Sequence, residues 1–405
     1  MLPAPTKSLS RGEFIVLIAF MISIVAMATD IMLPALSQIG TELGAANPND
    51  AHMIVTALFL GFAIGLLFAG PLSDSYGRKP VIYVGYAIFL IGCLLSTVTD
   101  TWEVMILGRV LQGFGAAFPR VVTIAIIRDG FAGRQMASIM SFIMAVFILV
   151  PMVAPAIGQG VIYLSGWRAT FVFLMVMAVI AAIWFALRQP ETLAKNRRTP
   201  FSPGPLWAGV REVCASRIAV GYIVATGLIN GAFLGYLSTA QQIFVEAYAA
   251  GSLFALYFAV AALALGVASV LNGKLVLGFG MRLLSWWSSL GIVALSVGFI
   301  PVALLADGLP ALWLFLAWLV AVFFCVGFLF GNFNALAMEP LGKIAGLGAG
   351  IVGAVSTLIS LPLAYVIGQG FEGGVLHLVY GFAGLGIGTL AVIVWTERGV
   401  PRASI

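Results

Sequence analysis

Twelve long apolar runs, each separated from the next by a short break carrying charge, glycine or proline, set the frame of this chain. They fall at roughly residues 14–37, 51–72, 80–99, 103–127, 135–162, 167–188, 217–245, 250–273, 282–305, 310–337, 346–369 and 374–396. A membrane-spanning helix needs about 20 predominantly apolar residues. Continuous apolarity, rather than alternation at period two, selects helices over a barrel. The pattern predicts an all-α membrane protein with twelve transmembrane helices.

The longest polar break, residues 189–216, falls near the middle and carries Pro190, Glu191, Lys195, Arg197, Arg198 and Ser202-Pro203-Gly204-Pro205. It divides the chain into a first six-helix bundle over residues 1–188, a cytoplasmic linker over 189–216 and a second bundle over 217–405. An internal echo supports the division: Gly273 to Met281-Arg282 keeps the seven-residue glycine spacing of Gly70 and Gly77, as two pseudo-symmetric halves would. The second copy has Leu277 where the first has Asp74, so the charged turn is expected to be asymmetric.

Composition agrees with the pattern. Of 405 residues, 62% are hydrophobic and only 9% charged, and the mean hydropathy is +1.11, too little charge to cover a soluble chain of this length. The pI near 9.2 follows from sidedness. With the amino end inside, Lys7, Arg11, Arg78, Lys79, Arg128, Arg134, Arg188, Lys195, Arg197, Arg198, Arg211, Arg217, Lys274, Arg282, Lys343, Arg398 and Arg402 are cytoplasmic, Arg168 lies opposite, and two arginines remain within helices. Both termini are thus expected in the cytoplasm of a bacterial cell, with the chain in its inner membrane. No compact basic patch with interleaved aromatics suggests nucleic acid. Cys93, Cys214 and Cys325 offer neither an outer disulfide nor a metal spacing, and lone His52 and His377 read as interfacial packing. The first apolar run exceeds a signal-peptide core and lacks a small-residue cleavage site.

The few polar residues inside the spans carry the candidate chemistry. Asp30 lies about 24 Å along the first helix from its cytoplasmic end. An acid at that depth is costly unless it faces a cavity or a partner. Arg109, in Leu107-Gly108-Arg109-Val110-Leu111-Gln112-Gly113 of the fourth span, reaches a similar depth from the outer side, about 10 Å below Trp102. Arg120 is almost three turns further on, which places Arg109, Gln112, Ala116, Arg120 and Thr123 on one face as a cavity-lining stripe. Arg120 alone could instead snorkel to the inner interface.

Three other groups stand out. Gly70-Pro71-Leu72-Ser73-Asp74-Ser75-Tyr76-Gly77-Arg78-Lys79 is a charged turn whose glycines permit close helix approach and a tight bend. Asp74 is either solvated or accepts hydrogen bonds from Arg78 and a nearby helix N-terminus. The fifth span carries Pro151, Pro155, Gly158 and Gly160, which permit bending and close packing. The second half has no strongly charged residue at a helix centre. Its cavity candidates are Asn230, Tyr236, Gln241, Tyr257, Asn332 and Asn334, with Gln242 beside them, each equally able to act as helix–helix glue.

These motifs, in this order, resemble the major facilitator superfamily. The turn matches its G-x-L-x-D-x-x-G-R-K loop signature, joined by Arg109 with Gln112-Gly113, the fifth-span Pro/Gly cluster and Gly166-Trp167-Arg168. Thr29-Asp30 with Leu33-Pro34, Arg128-Asp129 and Pro190-Glu191-Thr192-Leu193 make the chain similar to the Bcr/CflA group of drug:proton antiporters. The resemblance implies a gate in which Asp74 engages Arg78 and the start of the eleventh helix, with Asp129 joining the cluster. It implies that Asp30 and Arg109 serve proton coupling and substrate binding. The family's G-x-x-x-G-P-x-x-G-G antiporter motif is altered here, with Ala154 before Pro155 and Gln159 in place of a paired glycine.

The expected function is proton-coupled efflux of small amphipathic drugs or xenobiotics, phenicol- or bicyclomycin-like compounds among them. A monomer would rock its two halves in the lipid bilayer, with no cofactor beyond the proton gradient. Enclosure disfavours the ionised carboxylate of Asp30 and a nearby guanidinium favours it, so the transport cycle can load and release a proton there. Two arginines against one acid favour neutral, amphipathic or anionic substrates over permanent cations. Two alternatives stand beside this: a proton symporter importing a metabolite, which the fold permits equally, and a receptor or intramembrane enzyme. The latter would want a sensory domain or a nucleophile–base or metal constellation.

Overall fold

The computed structural model describes residues 9–131, 133–200 and 202–398, all helix, turn or coil. Lys7 and Arg402, counted above among the cytoplasmic bases, lie outside the described residues, as do the side chains of Arg134 and Lys343.

The first span is α1 (Arg11–Asp30), capped by Ser10, whose hydroxyl accepts the Glu13 amide at 3.2 Å. It ends earlier than the apolar run. Pro34 cannot donate to an α ladder, so a short 3-10 turn over Leu33–Ala35 precedes α2 (Leu36–Glu42). Then follow α3 (Met53–Tyr76), α4 (Arg78–Val98), α5 (Trp102–Gly130), α6 (Gly133–Ser165) and α7 (Arg168–Arg188). The linker is not wholly irregular, since it contains α8 (Pro203–Ala215). The second series is α9 (Arg217–Gln241), α10 (Phe254–Phe279), α11 (Met281–Leu305), α12 (Leu312–Met338), α13 (Ala345–Gln369) and α14 (Leu376–Glu397).

Eleven of the described helical runs are long and apolar enough to cross a membrane, and α6 carries a further apolar stretch, Leu149–Ser165. Val84, Ile91, Leu94 and Val98 stand exposed along α4, and Val172, Val176, Val179 and Ile183 along α7. Such faces suit lipid, and in water each would be an adhesive patch.

The charged turn is tighter than the sequence suggests. α3 runs through Pro71 to Tyr76, α4 starts at Arg78, and only Gly77 breaks the helix, at φ +102° and ψ 162°. The hydroxyls of Ser73 and Ser75 donate back to the Gly70 and Pro71 carbonyls at 2.9 and 3.0 Å, a local bond these residues favour near helix ends. Gly70 was expected to permit close helix approach, but a Cβ there would meet nothing within 4 Å.

The chain forms two compact units. The first comprises the chain up to Ala35, Glu42–Gly44 and Ala57–Leu206, and the second Leu36–Thr41, Ala45–Thr56 and the chain from Trp207. Within the first, α4 packs on α5 and α7, and α1 on α6 and α7; within the second, α11 packs on α12 and α14, and α9 on α13 and α14. The same pairing scheme recurs six spans later, the structural counterpart of the internal echo. Segments 36–41 and 45–56 depart from the expected boundary because polar side chains bind them to α9 and α13: Ser37 to Gln241 at 2.6 Å, Gln242 to Asn49 at 3.1 Å, and Gln369 to Asp50 at 2.8 Å.

Candidate functional site

Asp30 is the last residue of α1 and is only 3% exposed. A carboxylate at a helix C-terminus opposes the helix dipole, so the fold places this acid where ionisation is least supported by its own helix. The chain beside it is held by α6: a Cβ on Gly158 would lie 1.8 Å from the Ile31 carbonyl oxygen, so only glycine lets the helices approach this closely. The fifth-span motif thereby fixes the position of Asp30.

Arg109 is fully buried. It donates to the Ala28 carbonyl at 2.9 Å and to Gln112 Oε1 at 2.5 Å, and its guanidinium lies 5.9 Å from the Phe171 ring centroid. Ala28 is two residues before Asp30, and its carbonyl is among those the end of α1 leaves without an intrahelical partner. Gln112 in turn donates to the Gly92 carbonyl at 3.1 Å and to Ser96 Oγ at 2.9 Å. Through Arg109 and Gln112 these bonds join three helices, α1, α4 and α5.

The expected stripe is therefore corrected. Arg109, Gln112, Ala116 and Thr123 are all buried, Thr123 returning its hydroxyl to the Pro119 carbonyl at 2.7 Å, and only Arg120 keeps intermediate exposure. The cause is the approach of α4: a Cβ on Gly92 would lie 2.6 Å from the Gly108 carbonyl, so the residues between the two helices are enclosed. Arg109 and Gln112 tie α5 to α1 and α4, and Arg120 is half-buried, with one of its guanidinium nitrogens enclosed.

At the turn between α3 and α4, Arg78 joins three helices. Its guanidinium donates to Asp74 at 2.6 Å, Ser73 Oγ at 2.7 Å and Asp129 at 3.0 Å, while Thr192 donates to the same Asp129 carboxylate at 2.9 Å. The Arg78 side chain is 5% exposed and that of Asp74 is 53% exposed. Glu191, used above only as a family marker, accepts the backbone amides of Arg78 and Lys79, both at 3.0 Å, and so caps the N-terminus of α4. Lys79 Nζ reciprocates on the Ala186 and Gln189 carbonyls at 3.1 and 2.6 Å, at the end of α7.

The second unit carries a counterpart that Leu277 conceals. Arg282, at the start of α11, pairs with Glu339 at 2.7 Å and Glu397 at 3.1 Å, and Tyr222 donates to Glu397 at 2.6 Å. The asymmetry expected from Leu277 is thus offset by acids at the ends of α12 and α14. Sequence reasoning missed Glu191, Glu339 and Glu397. The one signal for them is a glutamate at or just beyond the end of a long apolar run.

The remaining second-half candidates separate. Asn332 forms a reciprocal amide pair with Asn272, at 2.9 and 3.0 Å, which makes it glue between α10 and α12 rather than a cavity residue. Asn334 is exposed, and Asn230 is half-buried. Tyr236 lies between Phe258 and Phe323, with ring centroids at 5.9 and 4.8 Å, and Tyr257 stacks on Phe244 at 5.6 Å. Gln241 accepts from Ser37, which also donates to the Glu246 carboxylate. His52 packs edge-on to Tyr365 at 5.2 Å, and His377 edge-on to Phe371 at 5.4 Å, both in the packing roles expected.

Repeated helical units, lipid-suited outer faces and a buried acid and arginine within the spans define a polytopic membrane transporter. The chain belongs to the Major Facilitator Superfamily, whose profile matches residues 18–364. It is 26% identical, over 96% of its length and 97% of the relative's, to an uncharacterized MFS-type transporter of Bacillus subtilis. It is 26% identical to a bicyclomycin resistance protein homolog of Haemophilus influenzae, over 84% of this chain and 85% of the relative. With multidrug resistance protein D of Escherichia coli it shares 25% identity over 95% of both chains. The D-xylose-proton symporter shares the fold at a TM-score of 0.74 and 14% identity, covering 96% of this chain and 97% of that one.

Proposed function

We propose that this chain is a Bcr/CflA-type drug:proton antiporter, exporting small amphipathic compounds across the bacterial inner membrane by alternating access. The observation that carries the reading is the buried Asp30 at the end of α1, with Arg109 bound two residues upstream and Gly158 packed one residue downstream. Asp30 takes the proton when enclosed and gives it up when the surroundings open, because the ionised form needs the solvation that enclosure removes. Arg109 and Gln112 hold α1 in position. The relatives named for multidrug and bicyclomycin resistance supply the substrate class.

On this reading the protein works as a monomer with both termini cytoplasmic, and the proton gradient replaces any cofactor. The altered fifth-span motif, Ala154-Pro155 with Gln159, makes transport direction the point to measure. The test is Asp30→Asn in proteoliposomes loaded with a pH dye. Loss of substrate-induced proton release is expected, and undiminished release would sink the assignment. A drug-susceptibility panel in an efflux-deficient host, with and without a protonophore, separates export from metabolite import. Unchanged susceptibility together with growth dependence on one metabolite would favour a symporter.

A further inference from the structure

Helix α8 in the linker has two faces. Gly209 and Val213 are buried, and a Cβ on Gly209 would come within 2.4 Å of Leu347 Cδ2 and 3.3 Å of Ile351 Cδ1, so α8 rests directly on the start of α13. On its other side Trp207 is 74% exposed, and Ala208, Arg211, Cys214 and Ala215 are exposed with it. Trp207, Arg211 and Cys214 follow at steps of four and three and form one stripe along the helix. The indole, the thiol and the Arg211 stem form an apolar stripe with a snorkelling charge, flanked on the side of Ala208 and Ala215 by the exposed Glu212.

The height of this face follows from what holds it. Leu347 and Ile351 lie about 3 and 9 Å of helical rise beyond Ala345, the first residue of α13, so α8 packs on the first two turns of a span-length apolar helix. The next span begins at once: Arg217 opens α9 and donates to the carbonyl of Arg398, just past the end of α14. The linker is also basic, with Lys195, Arg197, Arg198, Arg211 and Arg217 against Glu191 and Glu212, and the Glu191 carboxylate is already engaged by the amides of α4. Upstream, the Thr199 amide donates to the Asp74 carbonyl at 3.1 Å, so the linker that carries α8 is stitched to the Arg78 cluster.

We propose that α8 lies in the inner-leaflet interface, with the Trp207 indole among lipid at the headgroup–acyl boundary and Arg211 and Arg217 receiving the phosphates of anionic lipids. Tryptophan is the residue that favours this depth. Arginine forks match phosphate oxygens, and an anionic leaflet attracts juxtamembrane bases.

The experiment uses the full-length protein in vesicles of phosphatidylethanolamine with and without phosphatidylglycerol. A nitroxide is placed at Trp207→Cys in a Cys93→Ser, Cys214→Ser, Cys325→Ser background, and its accessibility to oxygen and to a water-soluble nickel chelate is compared. Oxygen accessibility several-fold above nickel is expected, rising with phosphatidylglycerol and losing that rise in Arg211→Gln. Nickel accessibility above oxygen (water), or protection from both (protein), overturns the lipid assignment, and no response to phosphatidylglycerol overturns the phosphate contact. Should the cysteine-free background fail to fold, tryptophan quenching by brominated lipid is compared between the native chain and Trp207→Phe. A smaller quenched fraction in Trp207→Phe supports the proposal, and an equal fraction overturns it.

Discussion

Gly77 shows how much a single residue carries. Its φ of +102° with ψ of 162° belongs to a region open essentially to glycine, and a Cβ there would meet Glu191 Oε2 at 2.8 Å and Arg198 NH2 at 2.7 Å. Gly77→Ala should therefore cost about 1–3 kcal/mol, read as a lower melting temperature in detergent. Gly70→Ala, with open space around it, should leave the melt unchanged and serves as the control. Gly158 is constrained by contact instead: a side chain would drive α6 off Ile31 and displace Asp30. For Gly158→Leu the overpacking penalty is about 1–3 kcal/mol, and transport should lose proton coupling by more than the stability loss explains. Coupling ratios measured in proteoliposomes at matched folded protein check this.

At the scale of elements, the start of α4 is held twice, by the Glu191 cap on its amides and by the Arg78 side chain reaching α3 and α5. Asp74 is the exposed partner and Asp129 the more enclosed one, with side-chain exposures of 53% and 22%. Exposed pairs are worth about 0–1 kcal/mol, and Arg78 keeps Asp129 and Ser73 when Asp74 is neutralised. Asp74→Asn should thus slow the conformational cycle while leaving substrate affinity and the melting temperature nearly intact. Asp129→Asn should lower both stability and turnover, since it removes the charge that pairs with Arg78 and one of the two carboxylate oxygens that accept from Arg78 and Thr192. Equilibrium binding measured beside turnover decides it, and a loss of affinity in Asp74→Asn would place this acid in the binding machinery instead. The spans and the motif itself were legible in the sequence at this scale. The Glu191 cap was not, because a glutamate after a span carries no sign of which amides it will face.

At the scale of the whole molecule, the two units repeat one pairing scheme, and each has an arginine at the start of its third span held between carboxylates. The segments 36–41 and 45–56 belong with the second unit through hydrogen bonds of Ser37, Asn49 and Asp50 to α9 and α13. Any step of the cycle that frees these segments must break those bonds, and interhelical bonds in membranes average about 0.6 kcal/mol each. Combining Asn49→Ala with Gln242→Ala should therefore increase the labelling rate of a cysteine placed at Ser37. A labelling rate equal to that of the parent would show that these bonds do not hold the segment.

The sequence by itself determined the all-helical, membrane-spanning class and the family. Those features follow from costs that act locally: a charge or a free backbone group in hydrocarbon is expensive wherever the chain folds. The tertiary structure alone decided which polar residues are enclosed. The stripe on α5 reads as a cavity wall from its period, yet the approach of α4 through Gly92 and Gly108 buries most of it. Likewise Arg282 finds acids 57 and 115 residues away in the chain. A repeat search aligned its turn with the first copy and saw only the leucine, because hydrogen bonds depend on distance through space, which sequence spacing does not encode beyond a helix's own turns.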